Sequence, residues 1–320
     1  MEYEEHKPFR TIDEQIDILK NHNLYIEDED AAKNFLKRNN YYRLSGYFIP
    51  HKDSGEDKLF LPGITFQKLI SIYEFDRHFR NVLLNYLEII EVAFKSVYSY
   101  RFAEKYPSTA YLDESCFDNK QTHQELLNTI FDQIEKRKEQ ERFVLHYQEL
   151  NAEMPIWAII HLITFGNMSK LYEISSLDIQ EKVAKDFEFN LSNKVELVIK
   201  FMHNFTILRN LCAHNSRLYA RVFSQKPELS NDEKSLLRKK ENGDPVSEFV
   251  FSYLLALRRF LLKKEFLNLK YDIHRIHSFY PDVDLKYYGF PDNWEEAMTK
   301  ASEFLPKQPK QFNKKTKKHD

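Results

Sequence analysis

Residues 65–106, TFQKLISIYEFDRHFRNVLLNYLEIIEVAFKSVYSYRFAEKY, contain neither glycine nor proline. Both residue types interrupt helices, because glycine loses more backbone entropy on folding and proline lacks an amide donor. Apolar and aromatic side chains recur throughout the stretch, and Pro107 follows it at once. The stretch therefore predicts one very long helix that ends before Pro107. We expect such a helix to pack in a long antiparallel hairpin or a helical bundle.

The composition of the whole chain also favours helices. Its 320 residues are 42% hydrophobic, 15% aromatic and 30% charged, and only six of them are glycine. A chain of this length can bury a large core and form one to three domains. Glycine is too scarce for glycine-rich phosphate-binding loops, and no segment has a convincing strand pattern. The sequence predicts an all-α protein.

Further helices are marked by capping residues and helix breakers on both sides of this stretch. On the N-terminal side, an amphipathic segment at residues 11–20 and a helix at 28–40 precede the aromatic cluster NYYRLSGYF. On the C-terminal side, helices are predicted at residues 121–147, 155–166, 178–187, 194–223 and 244–263.

Three of these predicted boundaries rest on specific residues. Gly166 is expected to stop the helix that Pro155 begins. Asn193, followed by Glu196, reads as a capping box for the helix at 194–223. Asp244, followed by Pro245, is expected to cap the helix at 244–263.

The order of elements predicts four regions. They are an N-terminal helical module (1–62), a helical core (63–265), a C-terminal helical extension (266–306) and a lysine-rich tail (307–320). We expect the tail to be disordered, either as a solvated end or as a weak electrostatic contact with nucleic acid. The N-terminal aromatic cluster also has two interpretations, a packed aromatic core or stacking on RNA; its residues include Tyr41, Tyr42, Arg43 and Tyr47.

The segment ILRNLCAHNSRLYAR, residues 207–221, sets arginine, asparagine and histidine within an otherwise apolar helix. Each buried polar group without a partner costs roughly 1–3 kcal/mol, so this clustering needs a reason. At about 100° per residue, one arc of roughly 80° collects a polar stripe of six residues. The stripe consists of His203, Thr206, Asn210, His214, Arg217 and Arg221.

Arg209 lies to one side of this stripe, about 140° from His214 on an ideal helix. Its guanidinium must therefore bend around the helix to act beside the imidazole. A second copy of the helix, packed across a two-fold axis, would concentrate the charge in one cleft. The simpler alternative is a polar face in contact with solvent, with His214 an ordinary surface or core histidine.

Other polar groups offer weaker candidates for chemistry. Cys212 and His214 are two residues apart and point to opposite sides of a helix, so they form no nucleophile and base pair. Charged residues of the long helix have the spacing that more often ties helices together. These are Asp76 with Arg77 and Arg80, and Glu88 with Glu91.

Metal binding, disulfides and membrane insertion are not expected. The histidines show no HExxH spacing, the chain has no CxxC pair, and so neither a metal site nor a cofactor is predicted. The two cysteines, Cys116 and Cys212, suggest a reducing compartment. The apolar segments are too short or too charged to span a bilayer, so we expect a soluble, cytoplasmic protein.

Several segments together resemble the Abi-like abortive-infection proteins of bacteria, of the AbiD/AbiF type. From about residue 7 to 223 they occur in the order that this family shows. The segments are KPFRTIDEQIDILK, AAKNFLKRNNYYRLSGYF, ITFQKLISIYEFDRHFR, MPIWAIIHLITFGNMSKLY and LRNLCAHNSRLYAR. The resemblance is weaker beyond Asp244, and it does not cover the tail.

The resemblance implies membership of the HEPN superfamily. Its implied fold is a HEPN-like helical bundle, here with the small N-terminal helical module and additional C-terminal helices, and usually dimeric. Its R-x4-6-H motif cleaves RNA without metal. The motif falls on Arg209 and His214, with Asn210 as the polar residue after the arginine. Many relatives carry a second histidine where this chain has Asn215.

The resulting hypothesis is a toxic endoribonuclease of phage defense that needs no metal. Arg209, Asn210 and His214 are its predicted catalytic residues, and the predicted substrate-binding residues are Asn215, Arg217 and Arg221. The expected partners are the RNA substrate, a second copy of the chain, and a protein or small-RNA antitoxin. The alternative is a catalytically inactive helical protein of a defense locus that has an RNA-binding or regulatory role.

Overall fold

The computed structural model describes residues 8–55, 58–189 and 192–304. Fourteen α-helices and no β-strand form within these ranges, which confirms the all-α prediction. The helices are α1 (Ile12–Asn21), α2 (Glu29–Asn39), α3 (Tyr41–Phe48), α4 (Phe66–Lys105), α5 (Lys120–Arg137), α6 (Arg142–Glu149), α7 (Ile156–Ile159), α8 (Phe165–Glu173), α9 (Leu177–Asp186), α10 (Lys194–Ala213), α11 (Asn231–Ser235), α12 (Val250–Leu257), α13 (Lys263–Phe279) and α14 (Trp294–Glu303).

Helix α4 is the very long helix that the sequence predicts over residues 65–106. It runs for 40 residues, and the Thr65 hydroxyl caps it by accepting the amide of Lys68 at 3.1 Å. At its other end Tyr106 is extended, because a residue before proline is disfavoured in the helical region. Buried side chains recur every three or four positions along it. Against α4 pack α3, α7, α8, α9, α10 and α13.

The short helices before α4 and the helix α9 also form close to the predicted bounds. Thr11 and Glu14 form a capping box at the start of α1, and Asp28 caps α2 by accepting the amide of Ala31 at 2.9 Å. The aromatic cluster becomes α3, in which Tyr47 and Phe48 are buried in the core and Tyr42 is 87% exposed. For Tyr47 the packed-core interpretation is therefore confirmed.

The predicted helices at 121–147 and 155–166 are wrong in their bounds. The first divides into α5 and α6 on either side of residues 138–141. The second ends after one turn as α7, and Gly166 lies inside α8 instead of stopping a helix. Helix α8 begins there because the Thr164 hydroxyl accepts the amide of Asn167 at 3.2 Å.

The predicted helix start at Asp244 is also wrong. Residues 238–246 fold back on themselves around a turn at residues 240–243. The amide of Val246 donates to the carbonyl of Arg238, and that of Lys240 donates to the carbonyl of Asp244, both at 2.8 Å. Gly243 supplies the positive φ of 85° that this turn needs. Helix α12 starts only at Val250, and all eight of its residues are buried.

The division of the chain into four regions remains a prediction. One hydrophobic cluster runs from Ile16 in α1 to Ala301 in α14 and includes side chains of the module, the core and the C-terminal helices. The predicted tail at 307–320 lies outside the described residues.

Candidate functional site

The Arg209–His214 motif straddles the C-terminal end of α10. The helix ends at Ala213, so the predicted continuation to residue 223 is wrong. His214 is the C-cap residue, and Asn215 follows in the left-handed conformation with a φ of 56°. The amide of Asn215 donates to Cys212 at 3.1 Å, and that of Ser216 donates to Leu211 at 2.8 Å. This pair of bonds is the Schellman motif, in which asparagine is the usual substitute for glycine.

The start of α10 also differs from the sequence prediction. The Asn193 side chain makes no capping hydrogen bond to the helix, so the predicted capping box with Glu196 is absent. Helix α10 instead depends on packing, and it contacts α4, α8, α9 and α12.

Arg209 and Asn210 lie on the last turns of α10, before the break. Arg209 is half-buried, and its guanidinium Nη1 donates to Asn210 Oδ1 at 3.1 Å. That bond leaves the other guanidinium donors available and fixes the amide of Asn210 beside them. Arg209 also lines a cleft of about 570 Å³, whose other wall is α4.

His214 is exposed at the end of the same helix. Its backbone amide donates to the carbonyl of Asn210 at 2.9 Å, which ties the two residues together through the main chain. Its imidazole has no hydrogen bond or ion pair with any residue of the described ranges, and no bond joins it to Arg209 there. Both ring nitrogens are therefore accessible to a substrate.

Arg43, which sequence reasoning did not assign to the motif, braces the turn after His214. Its Nη2 donates to the carbonyl of Asn215 at 2.8 Å, and its Nε donates to the Tyr73 hydroxyl at 2.9 Å. Its guanidinium also lies 5.5 Å from the centre of the Tyr73 ring. Arg43 on α3 and Tyr73 on α4 therefore hold the backbone of Asn215 in place. Asn215 immediately follows His214, so these contacts also restrict the position of the histidine.

The buried carboxylate of Asp76 holds the segment that follows. It accepts the backbone amide of Tyr219 at 3.0 Å, and that of Leu218 at 3.2 Å, and it pairs with the guanidinium of Arg80. The hydroxyls of Tyr47 and Tyr288 donate to it at 2.7 and 3.0 Å.

The Asp76 cluster therefore joins four parts of the chain: α3, α4, the segment after α10, and the C-terminal region. Burial raises the pKa of the Asp76 carboxyl, against the opposing effect of Arg80 and the donors around it. Every neighbour within hydrogen-bonding distance is a donor, which matches an ionised carboxylate. The structural interpretation of Asp76 and Arg80 is confirmed, since both side chains are buried and fully engaged.

Arg217 and Arg221 lie beyond the helix and so cannot share its polar stripe. The Arg217 guanidinium donates to the carbonyl of Tyr219 and lies 6.0 Å from the centre of the Tyr47 ring. A Cβ at Gly46 would approach its Nε to 3.1 Å, so α3 rests directly on this side chain. Arg221 Nε donates to the carbonyl of Arg217 at 2.7 Å. Both arginines brace the segment, and their role in substrate binding stays a prediction.

Among the acidic residues of α4, the two glutamates that the sequence singled out differ in their surroundings. Glu91 accepts from Lys95 Nζ at 2.8 Å, and Lys95 also donates to the carbonyl of Ile163 at 2.7 Å. Glu91 and Lys95 thus form an ion pair within α4, and Lys95 joins this helix to the segment between α7 and α8. Glu88 is exposed in the cleft beside Arg209 and has no polar partner within the described ranges.

His51 connects the N-terminal module to the segment after the motif. Its Nε2 lies 2.9 Å from the Tyr219 hydroxyl, and its ring is buried. Burial lowers its pKa to about 4, with help from the nearby charges of Lys68 and Lys286 and some opposition from Asp284.

Acid is therefore expected to destabilise the protein through His51. The unfolded chain binds this proton near the ordinary histidine pKa of about 6.5, whereas the folded protein binds it only near pH 4. The His51 contribution is complete above about pH 6.5 and is lost progressively as the pH falls towards 4. Thermal unfolding of His51→Gln between pH 7 and 4.5 should show a shallower fall than the unmutated protein. The exposed His203→Gln is the control, and an unchanged slope in His51→Gln would contradict the assignment.

The described ranges contain neither a metal-binding cluster nor a membrane-spanning helix. Within them, no three histidine, cysteine, aspartate or glutamate side chains lie close enough to hold a metal ion. Over the same residues, no helix combines the length and the apolar character needed to cross a membrane.

The fold and site define an all-α protein with an arginine–histidine motif at a braced helix end. A family model described as "Abi-like protein" matches residues 34–220, more than half of the chain, so the chain belongs to the Abi-like family of abortive-infection proteins. The match includes Arg43, Asp76, Arg209 and His214 and ends just after Tyr219. Neither a curated protein nor a solved structure matches the chain significantly.

Proposed function

We propose that this chain is a metal-independent endoribonuclease of the HEPN type and a toxic effector of abortive infection. The observation that carries the proposal is the placement of the motif. Arg209 faces a cleft with Asn210 fixed beside it, while His214 stands exposed and unengaged at a helix end that Arg43 and Asp76 hold in place. Family membership supports the defense role.

The chemistry follows from having a base and a cation next to RNA. The His214 imidazole takes the proton of a 2′-hydroxyl, and the 2′-oxygen attacks the adjacent phosphorus. The bond from phosphorus to the 5′-oxygen breaks, and that oxygen leaves with a proton from solvent. The products are a 2′,3′-cyclic phosphate and a 5′-hydroxyl. Arg209 donates to the phosphate oxygens as charge builds on them, and Asn210 holds the guanidinium in position.

A second copy of the chain is part of the proposal. Arg209 turns towards the α4 cleft and His214 lies at the end of α10, with no hydrogen bond between them in the described residues. Two α10 helices meeting across a two-fold axis would set the arginine of one copy near the histidine of the other. Light scattering of the purified protein should give twice the monomer mass. A monomer that cleaves RNA at full rate would rule the dimeric site out.

In the cell, such an enzyme would need restraint. We propose that it acts in the cytoplasm on RNA and is neutralised by a protein or small-RNA antitoxin until infection. The absence of a bond between Arg209 and His214 in one copy also suits the alternative function, an inactive RNA-binding or regulatory protein. Growth arrest on expression without neighbouring genes favours the nuclease, and harmless expression favours the alternative.

The sharpest test of the chemistry is a single 2′-deoxy substitution. An RNA that lacks the 2′-hydroxyl just 5′ of the cut site should resist cleavage there, because the attacking oxygen is missing. The same RNA without the substitution should be cut in the presence of EDTA and leave a cyclic phosphate. Both products can be assigned by mass spectrometry. Efficient cleavage at the 2′-deoxy position would overturn the mechanism.

A further inference from the structure

The cleft beside Arg209 contains more polar groups than phosphate binding requires. Seven polar or charged side chains on its walls set its charge and its hydrogen-bonding capacity. They are Asn81, Asn85 and Glu88 on the exposed face of α4, Glu91 and Lys95 further along the same helix, His161 after α7, and Arg209 on α10. The volume of about 570 Å³ is within the range of small-molecule sites.

This cleft is lined by charges of both signs. Lys95 is already committed to Glu91 and to the carbonyl of Ile163, so its charge is compensated. Glu88 makes no ion pair or hydrogen bond with any described residue. A phosphate is therefore attracted to Arg209 and repelled from Glu88. A nucleotide whose phosphate binds Arg209 can therefore bring its uncharged base, but not its phosphate, to Glu88.

Glu88 and the two asparagines near it on α4 suit the hydrogen-bonding edge of a base. An ionised carboxylate only accepts hydrogen bonds and presents two oxygens, while the amides of Asn81 and Asn85 both donate and accept. These amides also have no polar partner among the residues described. Guanine alone carries two adjacent donors, N1–H and the N2 amino group, on its Watson–Crick edge, with the O6 acceptor next to them. The exposed His161 ring offers a surface for stacking.

We propose that this cleft is a guanine-binding subsite, in which Glu88 accepts from N1–H and the N2 amino group and an asparagine amide donates to O6. The inference rests on the proposed ribonuclease function, since it takes the ligand to be RNA. It assigns Glu88 a role in specificity, and it makes the nucleotide adjacent to the scissile phosphate a guanosine. An adenine at the same place presents an acceptor, N1, to the carboxylate and is rejected.

Binding can be measured without cleavage. His214→Ala protein should bind a labelled oligouridine RNA with one central guanosine about tenfold more tightly than the same RNA with adenosine, cytidine or uridine there, by fluorescence anisotropy. Adding Glu88→Gln should remove most of that preference, since a carboxamide replaces one acceptor by a donor. Glu149→Gln, an exposed glutamate on α6, makes the same charge change and should leave the preference intact.

The outcomes separate this inference from the proposed function. Equal binding of the four RNAs, or a guanosine preference that survives both Glu88→Gln and Glu88→Ala, overturns the subsite. If the unmutated protein cleaves RNA with no base preference, the guanine subsite is also overturned, but the proposed ribonuclease function stands. A Glu88-dependent guanosine preference in a protein that never cleaves RNA supports the subsite and overturns the nuclease.

Discussion

Replacing His214 with alanine is expected to slow RNA cleavage by about 10²–10⁴-fold, the usual cost of losing a group that transfers a proton. The fold should remain intact, because the side chain is exposed and makes no bond to the described residues. Arg209→Ala should have an effect of similar size, since Lys95, the other lysine or arginine that lines the cleft among the described residues, is already paired with Glu91. Single-turnover cleavage of a defined RNA measures both, and growth after induction reports the loss of toxicity.

The matched control for this experiment lies on the same helix. His203 is exposed on α10 and makes no polar contact with the described residues, so His203→Ala removes an imidazole without touching the motif. It should cleave RNA at the unmutated rate. If His214→Ala and Arg209→Ala cleave as fast as the control, with unchanged circular dichroism, the site assignment is wrong.

The parts of the fold that sequence reasoning found are those governed by local rules. The long helix α4 needs only the absence of glycine and proline over its length and a threonine cap. Helix α2 similarly follows from Asp28, whose carboxylate caps the first turn. In both cases the residues that set the boundary lie within three positions of it, so periodicity and capping are sufficient.

The C-terminal end of α10 cannot be predicted from local sequence patterns, because some of the residues that fix it are far away in sequence. Nothing between Ala213 and Phe223 is a proline or glycine, and the pattern reads as continuous helix. The helix stops because Asn215 adopts the left-handed conformation and Arg43 and Asp76 capture the backbone beyond it. Asparagine at a possible C′ position was the one local signal available.

The candidate site was predicted in part for the same reason. The identity of Arg209, Asn210 and His214 follows from their spacing, which sequence displays directly. The predicted polar stripe included Arg217 and Arg221 because it assumed that α10 continues beyond Ala213, and the helix ends there. Neither Arg43 nor the α4 cleft has any sequence signature, because each contributes to the site only through tertiary packing.

Asp76→Ala is expected to lower the free energy of unfolding more than any other single change at this site. The substitution leaves the Arg80 guanidinium buried without its partner, and breaking a buried pair from one side costs about 3–5 kcal/mol. It also removes the acceptor for the hydroxyls of Tyr47 and Tyr288. With total stability of the order of 5–15 kcal/mol for a folded domain, the loss should be evident in urea unfolding.

Two further variants identify the source of the Asp76 effect. Asp132→Ala, on the exposed face of α5, removes a carboxylate with no polar partner among the described residues and should stay within about 0.5 kcal/mol of the unmutated protein. Asp76→Asn keeps one oxygen acceptor and the side-chain size, so it should be less damaging than alanine. The result that would contradict the assignment is an Asp76→Ala protein that unfolds at the same urea concentration as Asp132→Ala. In that case the segment carrying Leu218 and Tyr219 would be held by its apolar packing, and the carboxylate would be dispensable.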